Sequence, residues 1–301
     1  VEIVEKVQFL MNERDSRIQR FGNGKRGARD AMIRLMIGRD LKSLYIPPKS
    51  PPGANVLEVA GLRTLSHARH AVSLSLRAGE ILGMAGLIGA GRTELARAVF
   101  GIDAALGGEI RLNGKGVSIR SAKDAIAQGI YLVPEDRKRS GLVLEDSIAG
   151  NISLPNILSF ARYLLIDSGA ERKNAERQRQ SLNIKTADVE TVVGTLSGGN
   201  QQKVVLAKWL SMTPKVMMFD EPTRGIDVGS KSEIYSLMRG LADAGVAILM
   251  ISSDMEEVIG VSDRIVVMQE GAISGTLNRD QFSEENVMRL AVARGPEQSA
   301  A

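Results

Sequence analysis

Cysteine is missing from all 301 residues, and histidine occurs only twice, in His67-Ala-Arg-His70. This scarcity removes disulfides, thiolate metal sites and cysteine nucleophiles, and leaves too little imidazole for a histidine-based metal centre. Any chemistry must therefore use oxygen ligands and backbone amides. No apolar run approaches the ~18 residues needed to cross a bilayer; the longest clean one is Val246-Ala-Ile-Leu-Met-Ile251. The opening Val1-Glu-Ile-Val-Glu-Lys has no basic stretch followed by an apolar core and a small-residue cleavage site, so cytosolic residence is expected. With 44% hydrophobic and 25% charged residues, and 31 Gly against 9 Pro, disorder and collagen are excluded. The net charge of +4 is local: residues 1–50 hold 11 basic against 6 acidic side chains, which leaves 28 against 29 over 51–301.

The length suits two domains, or one large α/β domain with appendages. Pro47-Pro-Lys-Ser-Pro-Pro-Gly53 fixes φ and deletes amide donors at four positions, so residues 47–55 read as an extended linker. Before it, Met32-Ile-Arg-Leu-Met-Ile-Gly-Arg39 nearly repeats Val287-Met-Arg-Leu-Ala-Val-Ala-Arg294 in the tail 278–301. That repeat suggests that residues 1–46 close a preceding, related domain. From Val56 onward, apolar runs alternate with helical patterns: Ile81–Ala85, Gly129–Val133, Val216–Phe219, Ala247–Ile251 and Arg264–Met268. Such continuous runs are strands buried on both faces. Ile234, Leu237, Met238 and Leu241 mark a helix ended near Gly245, and the alternation predicts a mostly parallel sheet with flanking helices. The polar, helix-forming stretch between Gly141 and Gly199 reads as an inserted helical subdomain.

Gly86-Leu-Ile-Gly89-Ala90-Gly91-Arg92-Thr93-Glu94 follows the strand at Ile81–Ala85 and opens a helix. This is the spacing of a phosphate-binding loop: glycines let successive N–H groups face one anion, and a Thr hydroxyl can ligate Mg²⁺. Arg92 stands where Lys is expected. The same string would serve as a tight strand-to-helix turn, and its glycines also loosely resemble a dinucleotide fingerprint. Asp220 and Glu221 place two carboxylates at the end of a buried strand, where one can support Mg²⁺ and the other can orient or deprotonate an attacking water. A strand-terminal acidic turn explains one acid better than two. Thr195-Leu-Ser197-Gly198-Gly199-Asn200-Gln201-Gln-Lys203 precedes an apolar helix that Ser197 can cap, with glycines exposing amides at its positive end.

The order of phosphate loop, Leu-Ser-Gly-Gly-Asn-Gln-Gln, Asp-Glu-Pro-Thr and Asp227 resembles the nucleotide-binding domain of ATP-binding-cassette transporters, over about 56–277. In detail, Val133-Pro-Glu-Asp-Arg-Lys138 and Asp220-Glu-Pro-Thr-Arg-Gly-Ile-Asp-Val-Gly229 are similar to the second cassette of bacterial tandem-cassette sugar importers of the ribose, galactose and xylose type. The resemblance implies a P-loop NTPase (RecA-like) core, an antiparallel β subdomain and a helical subdomain at about 141–205. It implies ATP and Mg²⁺ as ligands, Gly86 to Glu94 around the triphosphate, Thr93 and Asp220 at the metal, and Glu221 as general base. Ser197 to Gln201 and Asp227 would face nucleotide held by a second cassette, in a homo- or heterodimer. Membrane permease subunits and, indirectly, an extracytoplasmic sugar-binding protein are the other implied partners, at the cytoplasmic face of the bacterial inner membrane.

Three positions depart from that family's pattern: Arg92 for the loop Lys, Glu135 for a phosphate-sensing Gln, and Ser253 for a switch His. A planar fork cannot replace a compact ammonium. Glu135 adds negative charge beside phosphates, and Ser253 shortens a polar arm. The expectation is a chain whose own site binds nucleotide but turns over slowly, and whose signature serves a companion. A non-hydrolysing regulatory or truncated cassette is the alternative. A nicotinamide dehydrogenase would leave the signature and the acid pair unexplained. Arg14, Arg17, Arg20, Lys25, Arg26 and Arg29 could suggest nucleic acid, but no set of stacking aromatics accompanies them and they read as a solvated tail. Trp209 is expected in the core.

Overall fold

The computed structural model describes residues 45–162 and 165–292. The expected remnant of a preceding domain, most of it within 1–44, and the basic run lie outside the described residues. A compact unit begins at Tyr45.

All five apolar runs become neighbours in one six-stranded sheet. Its order is β12 (Ala272–Asn278), β11 (Arg264–Gln269), β3 (Ile81–Gly86), β10 (Ala247–Ile251), β9 (Val216–Asp220) and β6 (Ile130–Val133). Every pair is parallel except β11 with β12. β9 and β10 are buried at every residue because helices cover both faces, and Met84, Met218, Phe219, Met250 and Val267 fill the centre. A second, four-stranded antiparallel sheet has the order β2 (Val72–Arg77), β1 (Asn55–Arg63), β4 (Gly107–Leu112), β5 (Lys115–Val117).

Between β3 and β4 runs α1 (Arg92–Val99), and α2 (Ala122–Gln128) precedes β6. The helical insertion contains α3 (Ile148–Ser153), α4 (Ser168–Ser181) and the first turns of α5 (Gly198–Leu210), together with a short hairpin, β7 (Ala161–Arg162) and β8 (Leu165–Ile166). α6 (Val228–Asp243) starts where the Asp227 side chain accepts the Ser230 amide, and Gly245, at φ +95°, lets the chain turn out after it. α7 (Met255–Val261) follows β10, and α8 (Glu284–Val292) closes the described chain. Trp209 lies in the core as expected, stacked on Tyr131 at 5.1 Å and edge-on to Phe100 at 6.0 Å.

The parallel order decides where chemistry can occur. β3, β10 and β9 lie side by side with Ile251 in register with both Met84 and Asp220. The loops leaving their carboxyl ends therefore share one edge.

Candidate functional site

The first of those loops follows β3. Gly86, Gly89 and Gly91 all hold positive φ, at +156°, +81° and +95°, and the last is the N-cap of α1. A Cβ on Gly86 would stand 2.5 Å from the Met268 carbonyl oxygen, so the curl tolerates only glycine there. The turn after β11 braces the loop from behind: the Gly271 amide donates to the Ala90 oxygen at 2.9 Å. Thr93 and Glu94 stand in the first turn of α1, beside the free amides of its positive end.

Asp220 ends β9 and is 2% exposed. Burial pushes its carboxyl up to about 6, opposed by a hydrogen bond from Thr93, and its Oδ1 has no partner. A buried carboxylate oxygen without a donor, beside a threonine hydroxyl, is an oxygen-only pair suited to a hard cation, and Mg²⁺ fits it. Glu221 next to it adopts φ +47°, a left-handed conformation costly for a side-chain-bearing residue. Burial raises the Glu221 carboxyl, while the Ser253 hydroxyl, which donates to its Oε2 at 3.2 Å, works in the other direction.

Arg92 is 8% exposed and turned to the protein. Its Nη1 donates to the Ser252 carbonyl at 2.7 Å, and its Nη2 lies 4.0 Å from Glu221 Oε1. Desolvation lowers the guanidinium, countered by Glu221 and Asp220. Arg92, Thr93, Asp220, Glu221 and Ser253 thus converge, as the sequence predicts, but the arginine spends its fork on the β10 loop and the acid.

The other predicted residues gather elsewhere. Glu135 is ion-paired to Arg224 across a cleft of about 480 Å³ that Asp136, Arg137, Lys138, Arg139 and Gly225 also line. Ser197 occupies the N-cap position of α5, yet its hydroxyl does not cap: it accepts the Asn200 side-chain amide at 3.0 Å, while Asn200 Oδ1 accepts the Lys185 amide. The local amide outcompetes the cap and leaves helix-end N–H groups available. Gly199 packs on α6, where a Cβ would fall 2.4 Å from Ser230 Oγ. Gln201 is buried, and Asp227 holds Ser230 through its amide and hydroxyl, which depresses the Asp227 carboxyl.

One residue the sequence reading did not single out links these regions. Glu257, 3% exposed, accepts hydrogen bonds from Thr223, Lys231 Nζ at 2.8 Å, Tyr235 at 2.7 Å and Ser252 at 2.8 Å. These donors hold its carboxyl low despite burial. Its sequence signal is a carboxylate on the same buried face of α7 as Val258 and Val261.

A family model described as ABC transporter matches residues 69–224. Among curated proteins, the ribose import ATP-binding protein RbsA of Lactococcus lactis subsp. cremoris is 49% identical over 262 residues, covering 87% of this chain and 53% of its own length. The putative ribose/galactose/methyl galactoside import ATP-binding protein 1 of Rhizobium etli is 51% identical over 260 residues (86% and 49%). The arabinose import ATP-binding protein AraG of Mannheimia succiniciproducens is 47% identical over 277 residues (91% and 55%). The chain spans about half the length of these relatives. A nucleotide-free ATP-binding cassette from an ABC transporter superposes with a TM-score of 0.68 at 18% identity, covering 80% of this chain and all of its own, a likeness that carries the fold alone. CbiO1 of Clostridium perfringens, described as part of a transporter complex, gives 0.64 at 25% identity (81% and 97%).

Proposed function

Because the chain belongs to the ABC transporter family, we propose that it is the ATP-binding part of a carbohydrate importer, coupling ATP binding and hydrolysis at a pair of cassettes to sugar uptake. In this reading it is the second cassette of a tandem polypeptide peripheral to the membrane, working with permease subunits and an extracytoplasmic binding protein. The names of the relatives, all import proteins for ribose, galactosides or arabinose, support the substrate class.

Gly86 to Glu94 bind the triphosphate through backbone amides. Thr93 and Asp220 hold Mg²⁺, which supplies positive charge against the phosphate oxygens. Glu221, its carboxyl raised by burial, takes the proton of the attacking water as the terminal phosphoryl group leaves ADP. Ser253 fixes the orientation of Glu221. Ser197 to Gln201 and Asp227 complete the site of a companion cassette.

The two sites are unequal in this proposal, and the engagement of Arg92 carries that claim. A guanidinium tied to Ser252 and close to Glu221 lowers the basicity of the general base and is not free to wrap the β- and γ-oxygens. Glu135 adds a carboxylate and Ser253 a short arm. The chain's own site therefore retains nucleotide and hydrolyses it slowly. Phosphate release by the full chain with Mg²⁺ and ATP tests this: binding is expected, with turnover well under about 1 s⁻¹, and Arg92→Lys is expected to raise it about ten-fold. Turnover of several per second by the wild type would refute the unequal-site reading.

A further inference from the structure

Three residues beyond β6, at Asp136, the backbone widens into a five-residue π turn, Arg137–Gly141. Such turns are rare and recur at functional sites. Both ends are pinned. The Asp136 carboxylate accepts the Lys138 and Arg139 amides at 3.0 and 3.1 Å, and Lys208, from the far end of α5, donates to the Gly141 carbonyl. The turn is thereby fixed to α5, and it aims one side chain, Arg137, back at the start of that helix.

The Arg137 fork reaches three places distant in sequence. Its Nη1 donates to the Arg224 carbonyl at 3.0 Å, its Nη2 to the Gly225 carbonyl at 3.4 Å, and its Nε to Gln201 Oε1 at 3.5 Å. The signature makes room for it: a Cβ on Gly198 would stand 2.7 Å from Arg137 Nη2 and 3.2 Å from the Gly225 oxygen. A methyl at the first glycine of the signature would therefore push this guanidinium out of its place. The loop it grips, Thr223 to Asp227, is anchored at its ends, where the Thr223 hydroxyl donates to Glu257 and Asp227 holds Ser230, and folds on its own turns, Arg224 N to Glu221 O at 3.1 Å and Ile226 N to Thr223 O at 3.2 Å, with the Arg224 side chain paired to Glu135; at its middle the Arg224 and Gly225 carbonyls are met by Arg137.

We propose that Arg137 is a positioning residue that straps the signature at Ser197–Gln201 to the loop after the acid pair, so that both present one rigid face to a companion cassette. The reaction served is the one proposed above, and the inference rests on that reading for its purpose. A rigid face spares the ordering cost of two loops when cassettes close on nucleotide. The strap needs a planar, multiply donating head: an ammonium can occupy the position but cannot span three acceptors in one plane.

The test compares wild type, Arg137→Ala and Arg137→Lys in the full chain by hydrogen exchange and by sedimentation. Amides of 197–201 and 223–227 are expected to exchange about ten-fold faster in both variants, while exchange in β3 and β9 and the affinity for a nonhydrolysable ATP analogue with Mg²⁺ stay at wild-type values. Analogue-driven self-association of the chain is expected to weaken about ten-fold in parallel. Gly198→Ala, whose methyl displaces the guanidinium, should reproduce the exchange pattern. Unchanged exchange in the two segments with Arg137→Ala, or full restoration by Arg137→Lys, overturns the strap. A wild type that binds the analogue but never associates counts against the cassette-pair reading, and the exchange rates still judge Arg137.

Discussion

Asp220 and Lys208 are ionisable groups held where water cannot reach them, and each leaves a measurable mark. For Asp220 the Thr93 hydrogen bond and the Arg92 charge offset part of the cost of burial, and the unpartnered Oδ1 leaves the rest to a cation. Asp220→Asn should therefore keep or raise the stability of the free protein while lowering nucleotide affinity at least about ten-fold with Mg²⁺ present. Calorimetric titration with Mg²⁺ and again with a chelator checks it; equal losses in both conditions would show that the carboxylate does not hold metal. Lys208, 8% exposed beside the Trp209 ring, is lowered by burial to about 8 from 10.5. Below about 8 it is charged in both folded and unfolded states and the burial cost is fully present. Above 10.5 it is neutral in both and the cost has vanished, so stability rises with pH between those values, by about 3 kcal/mol at most. Urea unfolding at pH 7 and 9.5 should show this rise in the wild type and a flatter profile in Lys208→Met.

At the scale of elements, the phosphate loop depends on a neighbour that no motif names. The turn between β11 and β12 carries Gly271 at φ +82°, bonded to Ala90, and a Cβ there would fall 2.2 Å from His67 Cβ. Gly271→Ala thus meets both a backbone penalty and a clash, and should cost about 2–3 kcal/mol with a matching loss of nucleotide affinity. Gly245→Ala, at φ +95° with nothing within 4 Å, isolates the backbone share and should cost about 1 kcal/mol. Denaturant midpoints for the pair separate the two contributions; equal costs would mean that the His67 contact yields freely. The elements differ in how far the sequence reveals them. β3, β6, β9, β10 and β11 are unbroken apolar runs, and α6 shows a clear helical stripe, so these are legible. β1 is not, because register shifts at Asn55/Leu57 and Val59/Leu62 break its alternation. The hairpin of β7 and β8 is too short to leave a pattern.

For the whole molecule, contiguity governs what a sequence discloses. The phosphate loop and the acid pair are each one uninterrupted string, and the parallel sheet brings their strand ends to one edge. Arg137 and Glu257 act through partners up to 88 and 34 residues away, so nothing local announces them. Ser197 misleads for a related reason, since a neighbouring Asn takes the hydroxyl that a cap would use. The proline-rich stretch misleads in another way. It forms neither helix nor strand, as four prolines dictate, but it is not loose. Tyr45 lies 3.6 Å from the Arg279 guanidinium, the Lys49 amide donates to Asp243 at 3.2 Å, and the Gly53 amide donates to Ala78 at 2.8 Å. These three stitches work like a hem: slack cannot accumulate between residues 45 and 53, and the compact unit starts at Tyr45. Someone excising or grafting this unit would do better to cut there than among the prolines, where the scissors would remove the seam along with the thread.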